Sequence, residues 1–114
     1  MKKKTILQFT DIETVLNTFK KGEFIIIVDE QSRENEGDLV ISAEFITDKQ
    51  MGWMIKNTSG IICVPAPKKK LYELGLHQMV NVNTEVNSTN FTLSTDYKIG
   101  TTTGVSATDR CKTV

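Results

Sequence analysis

The sequence predicts one domain that mixes helices with strands. Stretches whose apolar residues recur every three or four positions alternate with short, unbroken apolar runs rich in β-branched residues. Gly, Pro and Asn punctuate the boundaries between them. The length, 114 residues, suits a single modest core, so residues 1–114 are read as one unit.

Residues 10 to 21 read as the first helix. Ile12, Val15, Leu16 and Phe19 share one face, and Thr10 with Glu13 has capping-box spacing. Lys20, Lys21 and Gly22 suit the C-terminal end. Glu23 to Val28 reads as a buried strand, because Phe24, Ile25, Ile26 and Ile27 run unbroken. Leu39 to Ala43 reads as a second strand. Thr47 and Gln50 have capping-box spacing ahead of a helix to Asn57, with Met51, Met54 and Ile55 as its apolar stripe and Trp53 a core residue. Ile61 to Val64 reads as a short strand in which Cys63 is a small buried hydrophobe. Pro65 and Pro67 break the chain before a short helix from Lys68 through Leu74. Asn81 to Asn90 reads as a polar loop with room for a short strand, and Phe91 to Thr95 alternates as a half-buried strand does. A last helix opens near Ser106.

Composition narrows the function classes. Fourteen basic residues balance fourteen acidic ones, which leaves no basic footprint for nucleic acid. No apolar run is long enough for a membrane-crossing helix. Met1 to Lys4 leads into too short an apolar stretch for a secretory leader, so the expected location is the cytoplasm. There Cys63 and Cys111 are expected as free thiols. His77, the sole histidine, has no ligand-spaced partner and reads as a loop or surface residue.

Two stretches carry chemistry. Between the first two predicted strands lie Asp29, Glu30, Glu34, Glu36 and Asp38 with a single guanidinium, Arg33. Five carboxylates repel one another unless a cation spreads the charge, and one arginine cannot balance five. A hard divalent ion can. Arg33 offers a planar fork suited to carboxylate or phosphate, and Gly37 would allow a sharp or left-handed backbone before Asp38. The bland alternative is a solvated acidic turn. The second stretch, Gly100 to Arg110, brackets Thr101, Thr102 and Thr103 between glycines ahead of the last helix. Hydroxyls, loop amides and a helix start can form an anion pocket, although the lysine of a Walker loop is missing. Its bland alternative is a Thr-rich turn with a helix cap.

The run Arg33-Glu34-Asn35-Glu36-Gly37-Asp38 resembles the signature of 3,4-dihydroxy-2-butanone 4-phosphate synthases. Three further blocks match in the same order: Ser59 to Cys63; Met79-Val80 with Asn83; and Thr102 to Ala107 with Asp109-Arg110. The resemblance implies an α+β fold, a mixed sheet with flanking helices, and a lyase of riboflavin biosynthesis. Its reaction would convert D-ribulose 5-phosphate to 3,4-dihydroxy-2-butanone 4-phosphate and formate through a metal-stabilised enediolate. It implies Mg²⁺ or Mn²⁺ as cofactor, and a homodimer with its active sites at the subunit interface. Carried over by position, Glu34 would ligate the metal and touch substrate. Arg33 and Asp38 would contact the sugar phosphate, with Thr102 and Thr103 beside it. Glu36, Asp38, Asp29 and Cys63 fall at catalytic positions.

The chain also departs from the family pattern. A Gly-His-Thr-Glu-Ala-like segment, whose histidine is the other metal ligand, has no counterpart here, and Asn57 stands where many relatives have histidine. The expectation is therefore a domain truncated at its C-terminus. Its alternative function is a catalytically incomplete fragment or relic that keeps the acidic loop without turnover. A metal-dependent sugar-phosphate isomerase sharing the enediolate step is a third reading.

Overall fold

A computed structural model describes residues 8–114; the leader reading of Met1 to Lys4 lies outside them. The elements follow as α1 (Ile12–Lys20), β1 (Ile25–Val28), β2 (Gly37–Val40), α2 (Asp48–Asn57), α3 (Lys68–Glu73) and α4 (Ala107–Thr113). Helices and a small sheet are thus both present, as the α+β expectation requires. The sheet among the described residues is a two-stranded antiparallel hairpin, not a larger mixed sheet. Its register pairs Ile25 with Val40, Ile26 with Leu39, Ile27 with Asp38 and Val28 with Gly37.

Local chemistry sets the helix ends. Asp11, not Thr10, caps α1, its Oδ1 accepting the Thr14 amide at 2.9 Å. A carboxylate one residue on competes successfully for the same orphan donors. Gly22 follows the helix with φ of 72°, and a Cβ there would come within 2.6 Å of the Phe45 Cβ. Thr47 forms the expected capping box: its hydroxyl accepts the Gln50 amide, and Gln50 Oε1 accepts the Thr47 amide at 3.0 Å. Gln50 also reaches back with Nε2 to the Gly22 carbonyl at 2.8 Å, tying α2 to the end of α1. Ser106 caps α4.

The core sits between α2 and α4. Met51 is fully buried and Met54 nearly so. A Cβ on Gly52 would lie 3.6 Å from the Ala107 Cβ, an ordinary van der Waals contact between the two helices. Thr108 donates to Asp48 at 2.9 Å, and the Cys111 thiol donates to the Ile46 carbonyl at 3.4 Å. Trp53, expected in the core, is half exposed and rests on Phe24 with ring centroids 5.2 Å apart.

Other expectations are corrected. Ile12 and Leu16, on the apolar face of α1, are exposed. The strand expected over 23–28, observed as Ile25–Val28, is not buried: Ile26 is 70% exposed and Ile27 52%. Ile61 to Val64 forms no strand and no bridge among the described residues, and Phe91 to Thr95 contributes one bridge, Thr92 to Gln78. A strand is completed by its neighbour; the described residues supply none for 61–64 and only the short 77–79 stretch for 91–95. Cys63 is consequently exposed rather than buried. The second strand begins two residues earlier than expected, so Gly37 and Asp38 lie inside it. The left-handed residue of the acidic loop is Asn35, with φ of 53°, and not Gly37.

Candidate active site

The β1–β2 connection is organised by Asp29. Its Oδ2 accepts the Glu34 amide at 2.9 Å and Arg33 Nη1 at 2.7 Å, and its Oδ1 accepts the Glu36 amide at 2.8 Å. The Asp29 amide in turn donates to the Glu36 carbonyl at 3.3 Å. One side chain therefore closes the loop onto the hairpin end. The Glu36 and Glu34 amides, with Arg33 beside them, hold the Asp29 carboxyl below its ordinary range.

Arg33 bridges two acids. Nη1 lies 2.7 Å from Asp29 and Nη2 lies 3.1 Å from Glu34 Oε1. The Asp29 hydrogen bond pushes the guanidinium further toward its charged form. Exposed pairs of this kind add little stability; their effect here is to fix where the side chains point. Glu34 Oε1 accepts a second bond, from Asn87 Nδ2 at 3.1 Å. Oε2 makes no hydrogen bond among the described residues. Glu36 and Asp38 are exposed, and their carboxylates are likewise without hydrogen bonds among the described residues. Asp38 stands on β2 opposite Ile27.

The loop that carries Asn87 is built from its own polar side chains. Asn83 Nδ2 donates to the Thr89 carbonyl at 2.9 Å and to Asn90 Oδ1 at 3.3 Å, while Asn83 Oδ1 accepts the Glu85 amide at 3.0 Å. Glu85 accepts the Asn87 amide at 3.0 Å and the Thr89 amide at 2.9 Å. Those two amides, and more weakly Arg33, hold the Glu85 carboxyl below its usual range. Ser88 takes φ of 57° to close the turn. Sequence reasoning missed this loop's role, since no local pattern signals a contact across fifty-three positions.

The Thr-rich turn is occupied from within. Asp109, buried in the first turn of α4, accepts the Thr102 amide on both oxygens at 3.1 Å, the Thr102 hydroxyl at 2.7 Å and the Gly104 amide at 3.1 Å. Its own amide donates to Ser106 Oγ at 3.0 Å. The Thr102 hydroxyl is the largest influence holding the Asp109 carboxyl below its ordinary range. Gly104, at φ of 78°, lies so close to Asp96 that a Cβ would overlap the carboxylate. Arg110 Nε donates to the Val105 carbonyl at 2.9 Å, Lys112 to the Gly100 carbonyl and Thr101 to the Tyr97 carbonyl. The donors expected to meet an anion from solution therefore already meet a carboxylate, and Thr103 is the exposed threonine without such a bond.

The sequence-predicted residues thus fall into separate groups. Asp29, Arg33 and Glu34 meet directly, with Glu36 and Asp38 on the same connection. Among the described residues no hydrogen bond or ion pair joins Cys63, Thr102 or Thr103 to them. His77, read as a loop residue, stands edge-on to the Tyr72 ring at 5.2 Å. No group of three or more His, Cys, Asp or Glu among the described residues is gathered to hold a metal ion. Glu34 Oε2 is a single open carboxylate donor. That is compatible with Mg²⁺, which often takes one or two carboxylates and completes its shell with water and substrate oxygens.

Comparison with known proteins gives a consistent answer. The family model of 3,4-dihydroxy-2-butanone 4-phosphate synthase matches residues 13–114. The chain is 42% identical over 105 residues to the Candida albicans 3,4-dihydroxy-2-butanone 4-phosphate synthase, covering 92% of this chain and 52% of that one. It is 42% identical over 108 residues to the riboflavin biosynthesis protein RibBA of Phocaeicola vulgatus, covering 95% of this chain and 27% of that one. A crystal structure of a 3,4-dihydroxy-2-butanone 4-phosphate synthase in complex with two magnesium ions superposes with a TM-score of 0.87 at 44% identity, over 91% of this chain and 50% of that one. The chain spans about half the length of the synthases it matches.

Proposed function

The chain belongs to the 3,4-dihydroxy-2-butanone 4-phosphate synthase family, and from that premise we propose that it serves the family's lyase reaction in riboflavin biosynthesis. D-Ribulose 5-phosphate would be the substrate, and 3,4-dihydroxy-2-butanone 4-phosphate and formate the products. The observation that carries the reading is the Asp29–Arg33–Glu34 bracket. It holds one carboxylate edge, Glu34 Oε2, open beside a guanidinium and two further unengaged acids, Glu36 and Asp38.

Each residue then has a role. Asp29 is spent on the loop's own amides, so its work is to hold the turn rather than carry protons. Glu36 and Asp38 are the carboxylates free to take the proton beside the substrate carbonyl and return it later. Arg33, anchored at Nη1 and Nη2, is positioned to meet the sugar phosphate with its remaining donors. Glu34 would hold a Mg²⁺ or Mn²⁺ ion through Oε2. When bound, such an ion supplies positive charge against the enediolate that forms as the proton leaves. Thr103 would reach the substrate more readily than Thr102, whose hydroxyl is engaged by Asp109. Cys63 would enter only if the substrate spans from the hairpin loop to the exposed segment that carries it. A second copy of the chain would complete the pocket in a homodimer.

The test is product analysis. The chain is incubated with D-ribulose 5-phosphate and Mg²⁺, and formate is assayed. Formate that vanishes on chelation, and falls by about a hundredfold or more in Glu34→Gln, supports the reading. A product of unchanged mass would point to an isomerase instead. Absence of any product would mark a catalytically incomplete fragment or relic that keeps the loop without turnover, and formate from a longer form alone would favour the fragment.

A further inference from the structure

We propose that Asn87 is a positioning residue for Glu34, selecting which of its two carboxylate oxygens faces a divalent cation. The inference rests on the reading of Glu34 as the metal-holding carboxylate. Asn87 Nδ2 and Arg33 Nη2 both donate to Oε1, each at 3.1 Å. Two donors on one oxygen fix the carboxylate plane and leave Oε2 as the open edge. A monodentate ligand presented this way costs less to order than a carboxylate free to rotate.

Asn87 can do this because its loop is ordered before any ligand arrives. Glu85 accepts the Asn87 and Thr89 amides, and Asn83 spans the loop to Thr89 and Asn90. The Asn87 backbone is therefore tied to Glu85 while its side chain crosses to the hairpin. An amide suits the task better than a second cation. It donates to the carboxylate without adding a positive charge that would repel the metal.

The experiment reads metal binding rather than turnover. Mn²⁺ is titrated into the 114-residue chain and its free fraction followed by electron paramagnetic resonance. Broadening of the Asn87 side-chain NH₂ signals is recorded by nuclear magnetic resonance in parallel. Asn87→Leu, which keeps the size and removes the donor, is expected to weaken Mn²⁺ binding by about tenfold with the circular dichroism spectrum and thermal midpoint unchanged. Asn87→Gln, which retains an amide donor, is expected to recover part of the loss. Should Asn87→Leu perturb folding, Asn87→Ala provides the same comparison with a smaller side chain. Glu34→Gln is expected to abolish the response. If Glu34→Gln abolishes binding while the Asn87 variants bind as the unaltered chain does, the positioning role is overturned and the Glu34 reading stands. If Glu34→Gln leaves binding unchanged, or the unaltered chain gives no Mn²⁺ response, both fall.

Discussion

Asp109 holds Thr102 by three bonds, two to its amide at 3.1 Å and one to its hydroxyl at 2.7 Å. A carboxylate from the following helix thereby takes the place that an anion from solution would take in a Thr-rich, glycine-bracketed turn. The turn is shaped by the chain's own negative charge, and Thr103 is left as its exposed threonine.

Removing that carboxylate strands several donors at once. Asp109→Ala is expected to lower the thermal midpoint by several degrees, because Thr102 and Gly104 lose their acceptor in a part-buried setting. Asp109→Asn, which keeps the shape and one acceptor oxygen, is expected to fall between the two. Differential scanning fluorimetry of the three chains checks the order.

Asp29 is expected to act on local order more than on global stability. Its partners are the Glu34 and Glu36 amides and Arg33, all exposed. Asp29→Ala should therefore speed hydrogen exchange at the Glu34 and Glu36 amides severalfold and leave the amides of α2 unchanged. Equal acceleration in both places would mean that the loop is not an independent unit.

Acid should loosen the molecule in a defined window. Asp11, Asp29, Glu85 and Asp109 all hold their protons less readily in the folded chain than their ordinary values imply. Groups shifted this way stabilise the fold above the ordinary carboxylate range, about 4. That contribution is lost as pH falls through their lower, folded values. Stability should be flat from neutrality to about pH 5 and decline below about pH 4. A thermal midpoint measured across that range checks the sign; a midpoint that rises on acidification contradicts it.

The two thiols should differ. Cys63 is exposed, whereas Cys111 is half buried, donates to Ile46, and has its thiol pushed up by burial and then by Asp48. Iodoacetamide at mildly alkaline pH is expected to label Cys63 first and Cys111 slowly. Peptide mass mapping over time distinguishes them.

Met51 is the one large side chain fully enclosed among the described residues. Met51→Ala should cost about 2–5 kcal/mol, separating α2 from α4. Urea unfolding followed by circular dichroism measures it; a loss under about 0.5 kcal/mol would remove this site from the core-truncation class.

What the sequence disclosed divides by range. Helix limits were legible because caps are local: Thr47 with Gln50, and Ser106 ahead of α4, are read within a few residues. The acidic loop and its arginine were legible for the same reason. Residues 61–64 and 91–95 were misread because an apolar run becomes a strand only beside a partner. The Asn87–Glu34 and Asp109–Thr102 contacts were missed at different scales. The first spans two loops. The second reverses the expected role of a turn, since the anion that meets its donors is the chain's own Asp109.

Ile26 and Ile27 point to opposite sides of the hairpin that presents the acidic loop, and water reaches both. A two-stranded ribbon bare on each side does not hold its shape unaided. An engineer who lifts Asp29 to Asp38 onto a new scaffold must therefore bring a greasy blanket for the top and another for the underside, or the transplanted claw will not keep its grip.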